Sequence, residues 1–308
     1  MSLGAYILRR VIRGIFTLWL VVTIVFVALR LSGDPASLML SENASAEDIS
    51  RLREQLGLNE PLPVQYVTFF SKVLLKGDLG QSISRKQPAA DVVAERLAAT
   101  IKLALTGFAI ALLIGLPAGL MAAVRRGTVF DQVAMVGALT GQVMPTFFLG
   151  TVLILVFGLW LRLLPTSGDS TMWHLLLPAI TMAAAGGASI ARLSRSALLD
   201  VVRKDYMRTA YAKGLSERTA IVRHALRNAA IPVVTVLGIQ LGHMLSGAVA
   251  TEVVFAWPGV GRLAVTSIFQ RDYPVVQAVV LMVAGLYVVL NLLVDILYGW
   301  LDPKIRYQ

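Results

Sequence analysis

The sequence predicts an all-α, polytopic membrane protein with six transmembrane helices and a small helical extracytoplasmic segment. Three observations predict it. The 308 residues are 56% hydrophobic and only 15% charged, where soluble domains carry about 25% charged residues. The apolar residues gather into six long runs without charge, each near the ~20 residues that a bilayer crossing requires. The net charge of +10 falls on one side of those runs, as the positive-inside rule demands of cytoplasmic loops.

The runs are Gly14 to Leu29, Leu103 to Val124, Gln132 to Leu161, Leu175 to Ala191, Asn228 to Thr251 and Tyr273 to Val294. The first follows a basic start and resembles a signal peptide. Its apolar stretch is long for one and no A-x-A-like site follows, so it reads as an uncleaved span. The third is long enough for one tilted helix, or for two pieces broken near Gly141 and Pro145. The fourth is short and carries Pro178, Gly186 and Gly187, which spans tolerate where neighbours satisfy the freed backbone groups.

Six spans with a cytoplasmic N-terminus place sixteen basic residues against five acids inside, nine of the basic ones between Arg192 and Arg227. The outer stretch from Arg30 to Lys102 balances, with nine of each sign. A seventh span would put the nine-charge loop outside and is rejected on that ground. The positive charge is therefore a topology signal and loses its force as a nucleic-acid footprint. The chain has no cysteine, which excludes disulfides, thiolate metal sites and a cysteine nucleophile.

Residues 32–97 read as helical. Ser45 can cap a helix with Glu47 and Asp48 in its first turn and Ile49, Leu52 and Leu56 as its apolar stripe, ended by Gly57. Pro61 or Pro63 opens a second helix carrying Tyr66, Phe69, Phe70 and Val73, which stops at Gly77. A third run begins near Pro88 and leads into the second span. Such a segment is either a cap packed on the membrane part or a docking surface for an extracytoplasmic partner. The chain thus divides into residues 1–31 (cytoplasmic end and first span), 32–97, a core of 98–301, and a cytoplasmic tail of 302–308.

The stretch "TAYAKGLSERTAIVRHALRNAAIP" (209–232) is a basic hairpin amid apolar runs. Leu198, Val202, Tyr206, Thr209 and Lys213 recur at helical spacing, and Gly214 can stop that helix in the left-handed conformation. Ser216 is a natural cap for the next helix, with Glu217 at its positive end. That helix is expected to bury Ile221, Val222, Ala225, Leu226 and Ala229 and to expose Arg218, Arg223 and Arg227. Either this hairpin lies on anionic headgroups, or it is a lever that a cytoplasmic partner grips.

The hairpin resembles the signature loop of type I ABC importer permeases, E-A-A, three residues, G, nine residues, I-x-L-P. Arg208, Thr209 and Ala210 stand at the E-A-A positions, Gly214 at the glycine, and His224, Leu226 and Arg227 within the last group. Strict identity is confined to Ala210, Gly214 and Leu226. The departures resemble the dipeptide/oligopeptide/nickel branch, as do "LSGDP", "REQLGLNEPLPVQY", "GDLGQS", "EVVFAWPGVGRL", "RDYPVVQA" and "DPKIRY". The overall pattern is most like the dipeptide or glutathione permeases.

The resemblance implies the type I ABC importer fold and a non-catalytic subunit in the bacterial inner membrane, with both termini cytoplasmic. No cofactor is expected in this chain, which has no G-x-x-x-x-G-K-[ST] loop; ATP and Mg belong to partner ATPases. Implied partners are a second homologous permease subunit, one or two cytoplasmic ATPases, an extracytoplasmic binding protein and the lipid bilayer, with no nucleic acid. The coupling helix falls at about 205–215, so Asp205, Arg208, Thr209, Ala210, Lys213, Gly214 and Leu215 are the expected ATPase contacts. The arginine at the E position leaves room for acids on the ATPase surface opposite.

Other residues suit a translocation path, since polar groups inside a membrane usually face the bundle interior. Gln142, Gln240, His243 and Ser246 are the candidates, with Thr140 beside them; interhelix hydrogen bonding is the alternative for each. Glu252, Trp257, Pro258 and Gly259 belong to a turn that is either a plain connection between spans five and six or a re-entrant loop near the outer gate that touches the binding protein. Phe255 and Trp257 suit headgroup level, and Gly261 is expected to resist a regular helix. No pair among His174, His224 and His243 has H-x-x-x-H spacing, so a metal site is not expected. Asp295, within the last run, is a helix-packing anchor or, in a secondary transporter, a proton relay. "GGASIA" misses the G-x-S-x-G nucleophile pattern at Ala191, so an intramembrane hydrolase is unsupported. Nickel chelates, opines or sugars remain alternative cargoes for the same fold.

Overall fold

The computed structural model describes residues 3–31, 36–37, 45–55, 57–246 and 248–301. Leu56, the "LSGDP" glycine and the tail from Asp302 lie outside these residues, as do the side chains of Leu52, Ser246 and Asp295. The described residues are almost entirely helical: α1 Leu3–Leu31, α2 Ala46–Gln55, α3 Leu62–Lys76, α4 Ala89–Val124, α5 Val129–Val143, α6 Thr146–Leu153, α7 Trp173–Val202, α8 Asp205–Ala212, α9 Glu217–Ala220, α10 Leu226–Ser246, α11 Ala248–Val254, α12 Val260–Phe269 and α13 Tyr273–Leu301. Wide π-helical turns extend α6 over Ile154–Trp160 and join α9 to α10 over Ile221–Ala225. No signal in the sequence pointed to them.

Among the described residues five helices are long and apolar enough to cross a membrane, and α5 with α6 and its π-helical extension passes the same test as a bent pair, which makes six if the pair is one span. Those two meet at a bend of 106°. The break falls at Met144 and Pro145, whose extended backbone precedes α6. Proline has no N–H to donate and disfavours helix in the residue before it. The third run is therefore two pieces, broken where Pro145 stands.

Two compact units divide the chain: one of residues 1–7, 100–258 and 290–308, the other of 8–99 and 259–289. In the first, α7 is the central helix. Its most apolar window is 67% buried, against 11–33% in the other long helices. It packs against α5, α6, α10 and α11. It also meets α4 at very short range. A Cβ on Gly115 would lie 2.4 Å from the Gly187 carbonyl oxygen, and one on Gly119 would lie 2.2 Å from that of Ala191. Gly107, Ala111, Gly115 and Gly119 recur every fourth residue, so one side of α4 has almost no side chain. Two apolar helices in lipid gain most from such close packing, which small residues permit.

The second unit has two apolar clusters. Val22 and Val25 of α1 pack with Leu281 of α13 and with Phe69, Phe70 and Val73 of α3. Phe26 meets the Tyr66 ring edge-on at 5.3 Å, and the Tyr66 hydroxyl shares a hydrogen bond of 2.8 Å with Thr23 Oγ1. The aromatic face of α3 is thus turned onto α1, which favours the packed-cap reading of this segment. The other cluster joins Ala89, Val92 and Val93 of α4 to Val260, Leu263, Val275 and Ala278. The expected caps are in place. Ser45 Oγ accepts from the Asp48 N–H while Asp48 Oδ2 accepts from Ser45, and Gly77 ends α3 at φ 63°.

Between Gly77 and Pro88 the chain forms a tight loop around Asp272. That carboxylate is fully buried and accepts from Ser82 Oγ at 2.5 Å, Ser84 Oγ at 2.7 Å, and the N–H groups of Ile83 and Ser84. Burial alone would push its pKa up; the four donors outweigh burial and hold it below the ordinary carboxylate value.

Candidate functional site

The hairpin is built largely as its local signals require, with one change of face. α7 ends at Val202, and a turn at Arg203 and Lys204 separates it from α8. The stripe from Leu198 to Lys213 therefore does not lie on one helix. Leu198 is buried, but Tyr206, Thr209 and Lys213 face out; Met207 and Ala210 face in, packed with Leu198, Ala220, Ala225 and Ala229. The turn resets the helical phase, which a continuous periodicity could not anticipate. Val222 is likewise exposed, at 59%, because the π-helical turns rotate it away from Ile221 and Ala225. Arg218, Arg223 and Arg227 are exposed as expected.

Gly214 adopts φ +83°. The Leu215 N–H reaches back to the Ala210 carbonyl at 3.3 Å, and Gly214 N–H to Tyr211 at 2.9 Å. This is the six-to-one closure by which a left-handed residue ends a helix. Nothing lies within 4 Å of where a Gly214 Cβ would stand, so the demand for glycine comes from the backbone alone. Ser216 Oγ then accepts from the Thr219 N–H and opens α9. Asp205, Arg208, Thr209, Lys213 and Gly214 are thus presented together on an exposed edge. Arg208 and Asp205 approach to 3.7 Å with both side chains more than 80% exposed, a pairing of small energetic consequence. Ala210 faces the protein interior, and Leu215 is half-buried against the same cluster.

The candidate path residues also converge. Gln142, Gln240 and His243 line one cavity of about 220 Å³, with Thr146, Ser189 and Thr251. Gln240 Nε2 donates to the Gly186 carbonyl at 3.4 Å. Gln142 Oε1 accepts from Arg192. Ser246 follows His243 by three residues on α10. Thr140 is exposed and its hydroxyl donates to the Val136 carbonyl within its own helix.

The turn after α11 differs from its expected setting. Phe255 and Trp257 are 1% and 2% exposed. Both are interior residues, packed inside the protein rather than presented on its surface. Ala256 takes φ +49°, and Trp257 N–H closes onto the Glu252 carbonyl at 2.8 Å. Glu252 is itself fully buried and accepts from Thr100 Oγ1 at 2.6 Å. Pro258 is half-buried and Gly259 buried. α12 begins directly after Gly259 and includes Gly261, which costs a helix only about 1 kcal/mol. The partner of Glu252 lies 152 residues away in sequence, so no local pattern could have revealed it.

Sequence reasoning also passed over an ion pair near the hairpin. Arg195 holds Asp131 through two hydrogen bonds, and Gly127 N–H adds a third at 3.0 Å. Among the described residues no cluster of three or more metal-ligating side chains exists.

Comparison with known proteins agrees with this architecture. Residues 115–307 match the family described as binding-protein-dependent transport system inner membrane component, and residues 3–104 match its N-terminal counterpart. The chain is 43% identical over 304 residues to the glutathione transport system permease protein GsiC of Escherichia coli K12, covering 98% of this chain and 99% of that protein. The same protein from Salmonella typhi is equally similar, at 43% over 304 residues. Among solved structures, the inward-facing MetNI methionine ABC transporter superposes with a TM-score of 0.59 at 16% identity, covering 68% of this chain and 96% of that one. An amino acid ABC transporter with histidines gives 0.53 at 17% identity, covering 70% and 94%. Those two likenesses show the fold.

Proposed function

We infer the function from one premise: the chain belongs to the inner membrane components of binding-protein-dependent transport systems. It is a permease subunit of an ABC importer. The cargo is glutathione or a similar short peptide. One observation carries this reading: 43% identity to a glutathione permease over 98% of the chain.

The exposed edge of α8 is the coupling helix. Its glycine-closed end is a rigid corner joined through α9 to α10, so a push on α8 is delivered to a span. ATP hydrolysis occurs in cytoplasmic partner subunits that grip this edge, and a second permease completes the path. A binding protein delivers cargo from the opposite face. Both termini are cytoplasmic, which puts Arg125, Arg126 and the hairpin on the positive side. Closure of the ATPases and docking of the binding protein then favour the same conformation, as a population shift.

Uptake of radiolabelled glutathione by cells expressing the whole importer tests this. Uptake disappears on deletion of this subunit or inactivation of the ATPases, and persists with Asp295→Asn. Retained uptake without ATPase activity, together with loss in Asp295→Asn, would instead support a secondary transporter.

A further inference from the structure

The cavity of about 220 Å³ has a lining of unusual chemistry. Six of its side chains carry polar atoms: Gln142, Thr146, Ser189, Gln240, His243 and Thr251. None is a carboxylate, lysine or arginine, and no aromatic ring of Phe, Tyr or Trp lines it. At about 30 Å³ per water it has room for about seven waters, the size of a small piece of a peptide rather than a whole one.

Thr251 supplies a second, independent observation. It is 1% exposed, and its Oγ1 has no hydrogen-bond partner among the described residues. A buried hydroxyl without a partner costs about 1–3 kcal/mol, so native structures rarely keep one without a use. Among the described residues, Gln240 is held only by a long bond of 3.4 Å to the Gly186 carbonyl. Both groups gain by a ligand that offers a donor and an acceptor close together.

We propose that this cavity is a subsite for the uncharged amide backbone of the cargo, with Thr251 and Gln240 as its recognition groups. It rests on the reading that the chain is a peptide-importer permease. A peptide bond presents one C=O and one N–H on directly bonded atoms, which suits a hydroxyl and a carboxamide. The charged termini of the cargo lie beyond it, since no ionised group lines this cavity to meet them. A metal chelate finds one imidazole here and no carboxylate. A sugar finds no aromatic platform.

Direct binding of radiolabelled glutathione to the full permease–ATPase complex in nanodiscs, without binding protein, tests the proposal. Thr251→Val removes the hydroxyl at nearly constant shape and should weaken binding about threefold to tenfold, the worth of one hydrogen bond. Thr251→Ser should restore it. If Thr251→Val fails to assemble, Gln240→Met carries the same expectation. Unchanged affinity in the variant that assembles, or no binding by the wild-type complex, overturns the subsite. Glutathione uptake by the wild-type importer with its binding protein is measured in parallel. Its absence would sink the peptide reading itself, and its presence with unaltered variants would sink only the subsite.

Discussion

Arg195 grips Asp131 side-on, with Nε 2.6 Å from Oδ1 and Nη2 2.8 Å from Oδ2. Asp131 sits in the first turn of α5 and Arg195 in the last third of α7, so the pair ties the two helices beside the hairpin. The Asp131 side chain is only 6% exposed. Removing one partner of such a pair leaves an uncompensated charge, at a cost of about 3 kcal/mol. Asp131→Ala should lower the thermal midpoint of the purified complex markedly. Arg195→Lys should recover little, since an ammonium cannot form the two-pronged contact. Exchanging the two, as Asp131→Arg with Arg195→Asp, should recover more than either single change. Equal midpoints for wild type and Asp131→Ala would show that the tie contributes nothing.

The approach of α4 to α7 gives a steric prediction. A Cβ on Gly119 would stand 2.2 Å from the Ala191 carbonyl oxygen, and backbone cannot step aside as a flexible side chain can. Even Gly119→Ala should loosen the helix pair, and Gly119→Leu should prevent assembly. Gly137 on α5 is the control, with nothing within 4 Å of its would-be Cβ. Gly137→Ala should be neutral or slightly stabilising, by up to about 1 kcal/mol. The yield of monodisperse complex on size exclusion checks all three. A normal profile for Gly119→Leu would refute the close approach.

Asp272 predicts the sign of a pH effect. Its folded-state pKa is depressed, because four donors serve the charged form. Such a group stabilises the fold above the ordinary aspartate value of about 3.9. That contribution is lost as pH falls below that value and through the lower native one. Asp272→Asn offers a single acceptor oxygen where two now serve. It should reduce stability near neutral pH and flatten the acid limb of a stability–pH curve. A steeper acid limb in the variant would contradict the assignment.

What was legible in the sequence follows physical range. Gly77, Gly214, Ser45 and Ser216 announced helix ends, because left-handed caps and hydroxyl caps depend on a residue and its near neighbours. Pro145 marked one of the two readings of the third run, two pieces rather than one tilted helix, for the same reason. The helical spacing from Leu198 to Lys213 did not reveal that Met207 and Ala210 face inward, since the turn at Arg203 and Lys204 shifts the helical phase. Gly107, Ala111, Gly115 and Gly119 escaped notice because a stripe of small residues in an apolar helix produces no contrast in hydropathy. Gln142, Gln240 and His243 drew attention in the sequence because polar groups inside spans are expensive, and they line one cavity. Thr251 drew no such attention, since a threonine inside a span commonly satisfies itself on its own helix, as Thr235 does on the Ile231 carbonyl.

Gly214 separates coupling from folding. Its φ of +83° is costly for any residue with a Cβ, by about 1–2 kcal/mol, and more so for a β-branched one. Since no atom lies within 4 Å of the would-be Cβ, the corner must change shape rather than the packing around it. Gly214→Val should therefore leave membrane insertion and assembly of this subunit intact while turning or fraying the end of α8. Glutathione uptake should be lost, and ATP hydrolysis should no longer respond to the binding protein. Gly214→Asn, which tolerates the left-handed region better than other residues, should keep a substantial part of both. Equal failure of the two variants would place the importance of Gly214 in its lack of a side chain at a partner surface. Equal success would remove the corner from the coupling route altogether.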